Sequence, residues 1–98
     1  MERSEVYLVV DGERDYQNRK WGTIDERPKQ VGSWLTLMRH CLTKAESDWA
    51  TSRGDESALD EIRKVVAVGV ACMEQHGAVK RKPAEQPEIR DDWTVDPL

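Results

Sequence analysis

Residues 65–73, VVAVGVACM, contain no polar side chain and lie inside the longest patterned stretch of the chain, residues 55–77. In DESALDEIRKVVAVGVACMEQHG the apolar positions Ala58, Leu59, Ile62, Val65, Val66, Gly69, Cys72 and Met73 recur at steps of three and four. That is the spacing of one helix face. About 22 residues at roughly 1.5 Å of rise each form a rod of about 33 Å. Asp55 or Ser57 offers an oxygen to an orphaned backbone N–H at the start, and Ser57 with Asp60 approximates a capping box. Gly77 suits the left-handed residue that ends a helix, and Pro83 blocks continuation. Val68, Val70 and Ala71 lie off the stripe, so the second half is apolar nearly all round. Such a helix needs cover on more than one side. A second copy of the chain supplies that cover in one reading, and the N-terminal helix and the tail supply it in the other.

Composition sets the outer limits. Ninety-eight residues make one domain, and a domain this small buries a modest share of its surface. Phe is absent, but four Trp bring large apolar area. The net charge of −4, without a basic stripe, argues against nucleic-acid binding. No stretch of about 20 apolar residues exists to span a membrane. The five-residue apolar run at 6–10, followed by Asp11, Glu13, Arg14 and Asp15, is too short for a signal peptide, and a cytoplasmic protein is expected. Cys41 and Cys72 both fall on apolar stripes and read as buried, reduced thiols rather than a disulfide.

Taken in order, the chain reads as three helices, an all-α protein. Residues 4–21 suit either strand or helix. Val6, Tyr7, Leu8, Val9 and Val10 are β-branched or large, but Val6, Val9 or Val10, Glu13, Tyr16 or Gln17, and Lys20 share a helix face. A strand here has no partner elsewhere, so helix is expected, with Ser4 as its cap and Gly12 as a weak point. Trp21-Gly22 ends it, and residues 23–27 are a polar connection. Pro28 suits the first turn of a second helix over 28–51. Its stripe is Val31, Trp34, Leu35, Met38, Cys41, Leu42, Ala45 and Trp49. A break at 52–54 leaves two long helices joined by a short loop, which predicts a long antiparallel helical hairpin with Leu42 and Ile62 in its core. The expected assembly is a homodimer or higher homo-oligomer in which two hairpins make a four-helix core. The helical domain covers residues 1–79. Residues 80–98, with Pro83, Pro87 and Pro97 among charges, read as an irregular tail with Trp93 as its anchor, helped by Ile89 and Val95.

Candidate functional residues lie along helix edges. His40, Lys44 and Asp48 are spaced by four on the second helix, and Glu56, Asp60 and Lys64, with Arg63 beside them, on the third. As solvated edges they form i, i+4 ion pairs worth a few tenths of a kcal/mol. As a polar groove they would offer Lys44, Arg63 or Lys64 to a phosphate, and Asp60 with a second carboxylate to a metal. Glu74 and His76 close the third helix, where a histidine also complements the helix dipole. No nucleophile–His–acid order, glycine-rich phosphate loop or helical HExxH is present.

Three strings carry a resemblance. They are ERDYQ at 13–17 with KWG at 20–22, ALDEIRK at 58–64, and GVACMEQHG at 69–77. Together they resemble small phage and mobile-element proteins, gene-cassette proteins among them, that are labelled MazG-like. The resemblance covers roughly residues 13–78. It implies an all-α fold of the nucleoside triphosphate pyrophosphohydrolase type, assembled as dimers or tetramers. Active members of that superfamily cleave NTPs to NMP and pyrophosphate with Mg²⁺ held by an EExxE cluster on one helix and an ExxD pair on the next. Here Arg39, His40 and Lys44 stand where acids belong, and Glu56 and Asp60 are spaced by four rather than three. The resemblance therefore implies a nucleotide- or small-molecule-binding protein with an incomplete metal site. The alternatives are an active Mg²⁺-dependent (d)NTP pyrophosphohydrolase with Glu56 and Asp60 as metal ligands, and a protein-interaction module without a pocket.

Overall fold

The computed structural model describes residues 1–51 and 54–82. They form three helices, α1 (Arg3–Trp21), α2 (Val31–Ala50) and α3 (Gly54–His76), and no strand occurs among the described residues. The segment 5–10 is thus helical. Glu2 rather than Ser4 is the N-cap of α1, and no side chain caps that end. The expected loop residues Ser52 and Arg53 and the expected anchors Ile89, Trp93 and Val95 lie outside the described residues.

α3 is the centre. Both α1 and α2 pack on it, and they do not pack on each other. Along α2 and α3 the paired positions run in opposite order. Trp34 meets Gln75, Lys44 meets Glu61, and Asp48 meets Ser57. The most buried residues of α3 are Ala67, Val68 and Ala71, and Trp34 of α2 seats against Val68 and Ala71 with Ile24, Leu37, Met38 and Cys72 around it. Small side chains let both neighbours approach closely. At Gly69 an added Cβ would stand 3.2 Å from Met38 Cε, so a methyl group there would require the Met38 side chain to shift.

The apolar cover of residues 65–73 therefore comes from within the chain on two sides. On the third side no described residue supplies it. Val31, Leu35, Leu42 and Trp49 of α2 and Leu59, Ile62, Val66 and Met73 of α3 are all exposed. Leu42 and Ile62, expected in the hairpin core, keep 47% and 42% of their surface in water. The buried face of α3 runs instead through Ala58, Glu61 and Val68, about a third of a turn from the large stripe. The large stripe and the buried face are different faces because only the small residues permit close helix approach.

The start of α2 also differs from expectation. It begins at Val31, not at Pro28, after an extended Gln30. The cause is a tertiary clasp. The Gln75 amide accepts from the Lys29 backbone N–H at 3.1 Å and donates to the Lys29 carbonyl at 2.7 Å. His76 Nε2 also lies 2.8 Å from that carbonyl. A residue held this way cannot join a helix. Asp55 and Ser57 serve the junction with α2 rather than a capping box. Trp49 Nε1 donates to Asp55, and Ser57 donates to Asp48.

Gly22 ends α1, its N–H donating to the Asn18 carbonyl, with φ 93° and ψ 162°. Only glycine adopts that backbone region readily. The turn after it closes reciprocally. Thr23 Oγ1 accepts from the Glu26 N–H, and the Glu26 carboxylate accepts from both the N–H and the hydroxyl of Thr23. Gly77 has φ 104° and ends α3, as expected.

Two substitutions test this core. Trp34→Ala is expected to lower the free energy of unfolding in urea by about 3–5 kcal/mol. Gly22→Ala is expected to lower it by about 1–3 kcal/mol, because an added Cβ also meets Arg27 Cγ at 3.2 Å.

Candidate functional site

The residues singled out from the sequence divide between two places. Lys44, Asp60, Arg63 and Lys64 gather around the α2–α3 contact and the adjoining side of α1. Their organiser is Glu61, a buried carboxylate of α3 that the spacing analysis did not select. Glu61 accepts from Lys64 Nζ at 2.9 Å and pairs with Lys44 Nζ at 3.3 Å. Asp60 binds Arg63 at 2.7 Å and Lys64 at 3.5 Å, and Arg63 Nε donates to Glu13 of α1 at 2.7 Å. Glu74 and His76 are elsewhere. Glu74 pairs with Arg14 of α1, and His76 joins the Lys29 clasp. His40 is solvent-exposed on α2, one turn before Lys44.

α1 meets α3 through polar groups. Of its four buried residues, Val10, Glu13, Arg14 and Gln17, only the valine is apolar. Arg14 serves three partners, donating to Glu74, Gln17 and Asn18. Gln17 makes a long 3.5 Å contact with the Lys64 carbonyl. Among the described residues no buried side-chain nitrogen or oxygen lacks a partner. Burying a charge is tolerable only when it is paired and hydrogen-bonded, and this set meets that condition. One signal of it was legible, since Glu13, with Tyr16 or Gln17 a turn later, lies on the expected helix face of α1.

The pairing shifts several titrations. The Arg63 guanidinium holds the Asp60 carboxyl below its ordinary value of 3.8, with Lys64 helping. Glu61 raises Lys64, and Glu13 raises Arg63. The N–H of Thr23, with its hydroxyl, lowers Glu26. Burial, with Glu61 nearby, pushes the Cys41 thiol up, so it stays protonated and weakly nucleophilic. Cys41 and Cys72 are both free thiols, half-buried.

Magnesium would need oxygen ligands, several of them anionic, converging on one point. Glu56 is exposed in the first turn of α3, and Asp60 already faces Arg63 and Lys64. No group of three or more His, Cys, Asp or Glu residues among those described is placed to hold a metal ion. Glu56 and Asp60 do not fit the cation.

The larger cleft was not foreseen. It measures about 620 Å³ and lies where α1 and α2 diverge from α3, closed at one end by the turn that joins them. Lys20, Arg27, Lys29 and Arg14 contribute to its walls against one carboxylate, Glu26, and Trp34, Leu37, Val68 and Ala71 form an apolar floor. None of the residues selected from the sequence lines it. A second hollow of about 290 Å³ lies on the other side of α1, between Tyr7, Val10 and Val70, with Arg14 and Glu74 in its wall. No helix among the described residues is long and apolar enough to cross a membrane.

Comparison with family models, with curated proteins and with solved structures finds no match.

The Asp60 pairing has a defined pH signature. Its folded value is depressed, so its contribution is complete above the ordinary value of 3.8 and is lost as pH falls through the lower folded value. Asp60→Asn should thus be less stable than the parent at about pH 7, and the gap should close below about pH 4, read as urea midpoints. Glu61→Ala leaves Lys64 without its closest partner. It is expected to cost roughly 1–2 kcal/mol, moderated because both lysines reach solvent.

Proposed function

We propose that this chain is a MazG-like helical protein that binds a nucleotide or similar small molecule as a homodimer and does not hydrolyse it. The observation that carries the reading is the state of the carboxylates at the helix contacts. Glu13, Asp60, Glu61 and Glu74 are each held by an arginine or lysine. A pyrophosphohydrolase needs such carboxylates free for Mg²⁺, which neutralises triphosphate charge and supplies the Lewis acid. Here the protein's own cations take that place. The residue strings at 13–22, 58–64 and 69–77 supply the kinship with phage and gene-cassette proteins, and they do so by resemblance alone. A fold of that type does not by itself bring the activity.

The dimer is part of the same reading. In it α2 and α3 form an antiparallel hairpin, and two hairpins close a four-helix core. The stripes Val31, Leu35, Leu42, Trp49 and Leu59, Ile62, Val66, Met73 follow the three- and four-residue steps of helix seams. Helix spacing sets the α2 stripe beside its contact with α3, and the α3 stripe next to Arg63 and Glu74, which meet α1. Eight large side chains, each about half exposed, leave apolar area on the order of several hundred Å², the size at which exposed apolar surface marks an interaction site. That area approaches the roughly 800 Å² that each partner of a standard interface buries. A second copy is the occupant that matches, because both stripes carry the seam spacing that an identical stripe can interdigitate.

Light scattering at micromolar concentration should give twice the chain mass, and Leu42→Arg should give a folded monomer. A parent protein that stays monomeric would end the dimer reading. Mixed with dNTPs and Mg²⁺, the protein should release no pyrophosphate, yet a nucleotide should raise its melting temperature. Pyrophosphate release that disappears in Asp60→Asn would establish the enzyme instead.

A further inference from the structure

We infer that the cleft between α1, α2 and the connecting turn is a binding site for an aromatic anion, a flat ring bearing a carboxylate or a phosphate. This rests on the binding-protein reading and gives it a place in the molecule.

The slot exists because two helices share α3 without touching each other. Its floor is the apolar surface of Trp34, Leu37 and Val68. Trp34 is fixed there, since its indole N–H donates to Gln75 at 3.1 Å. Arg14 adds no net charge to the wall, because Glu74 neutralises it. The charge that faces a ligand comes from Lys20, Arg27 and Lys29. Lys29 Nζ lies 4.6 Å from the Trp34 ring centroid, and Lys20 Nζ lies 5.1 Å from that of Trp21. An ammonium over an aromatic face keeps spare donors for an anion. The Arg27 guanidinium makes no hydrogen bond or ion pair among the described residues. Glu26, the single acid in the wall, is committed to Thr23. Cations on the rim over an apolar floor select a ligand with both parts. A bare anion would leave the floor wet, and a neutral ring would leave the cations unmatched. Trp21, half exposed on the rim, offers a face for stacking.

The four tryptophans give separate indole N–H signals in a ¹H–¹⁵N spectrum, so binding can be localised. Phenyl phosphate and benzoate should shift Trp34 and Trp21 saturably and leave Trp49, at the far end of α2, in place. Inorganic phosphate and benzyl alcohol should bind about ten-fold more weakly or worse, having lost one half of the recognition. Comparing the two aromatic anions tells which charged group is preferred. Arg27→Gln and Lys29→Gln, both on the rim, should each weaken phenyl phosphate about five-fold. Arg39→Gln, on the exposed side of α2, should not. The inference is overturned if inorganic phosphate or benzyl alcohol binds as well as phenyl phosphate, or if Trp49 moves with Trp34. It is overturned also if neither rim variant weakens binding. A nucleotide that raises the melting temperature while Trp34 and Trp21 stay still would remove this site and leave the binding-protein reading intact.

Discussion

Close approach to α3 is the constraint on which the rest of the molecule depends. Ala67, Val68 and Ala71 are the most buried positions of that helix, and Gly69 lies under Met38. Side chains that small bring a neighbouring helix near on two sides of one rod. α1 and α2 take those two sides and never meet. Two consequences follow from the same geometry. A wedge opens between the flanking helices and becomes the cation-rimmed cleft. The large apolar side chains, excluded from the close contacts, collect on the remaining side.

The two contacts on α3 are chemically unlike. α2 brings Trp34, Leu37 and Met38, and its contact is held by apolar burial. α1 brings Glu13, Arg14 and Gln17, and its contact is held by paired charge. Buried ion pairs add little net stability because desolvation offsets attraction. Their directionality nonetheless restricts how α1 can cross α3, since Glu13 must reach Arg63 while Arg14 reaches Glu74. A sliding α1 would strand both pairs. The width of the cleft therefore depends on polar geometry in one wall and on apolar packing in the other.

The limits of three helices were legible to within a few residues, because apolar spacing and terminal glycines are local signals. Gly22 and Gly77 end their helices as expected. The start of α2 was not legible, since Pro28 is a sound first-turn residue until Gln75 and His76 take hold of Lys29 from 46 and 47 positions away. The face assignment failed for a similar reason. Leu42 and Ile62 carry the stronger hydrophobic signal, but periodicity cannot tell a face that meets a helix of the same chain from one left open. Of the candidate site, the cations Lys44, Arg63 and Lys64 were visible. Glu61, which gathers two of them, was hidden in a charged run.

By itself the sequence determined that this protein is helical, where its helices stop, and that residues 65–73 require cover. Those properties follow from spacing and backbone preference within a turn or two. Tertiary structure alone decided that α1 and α2 share α3 without contact, that carboxylates at the helix contacts face the chain's own cations, and that an aromatic-floored cleft opens beside the turn. Such features depend on distances between residues tens of positions apart, and no local pattern encodes a distance of that kind.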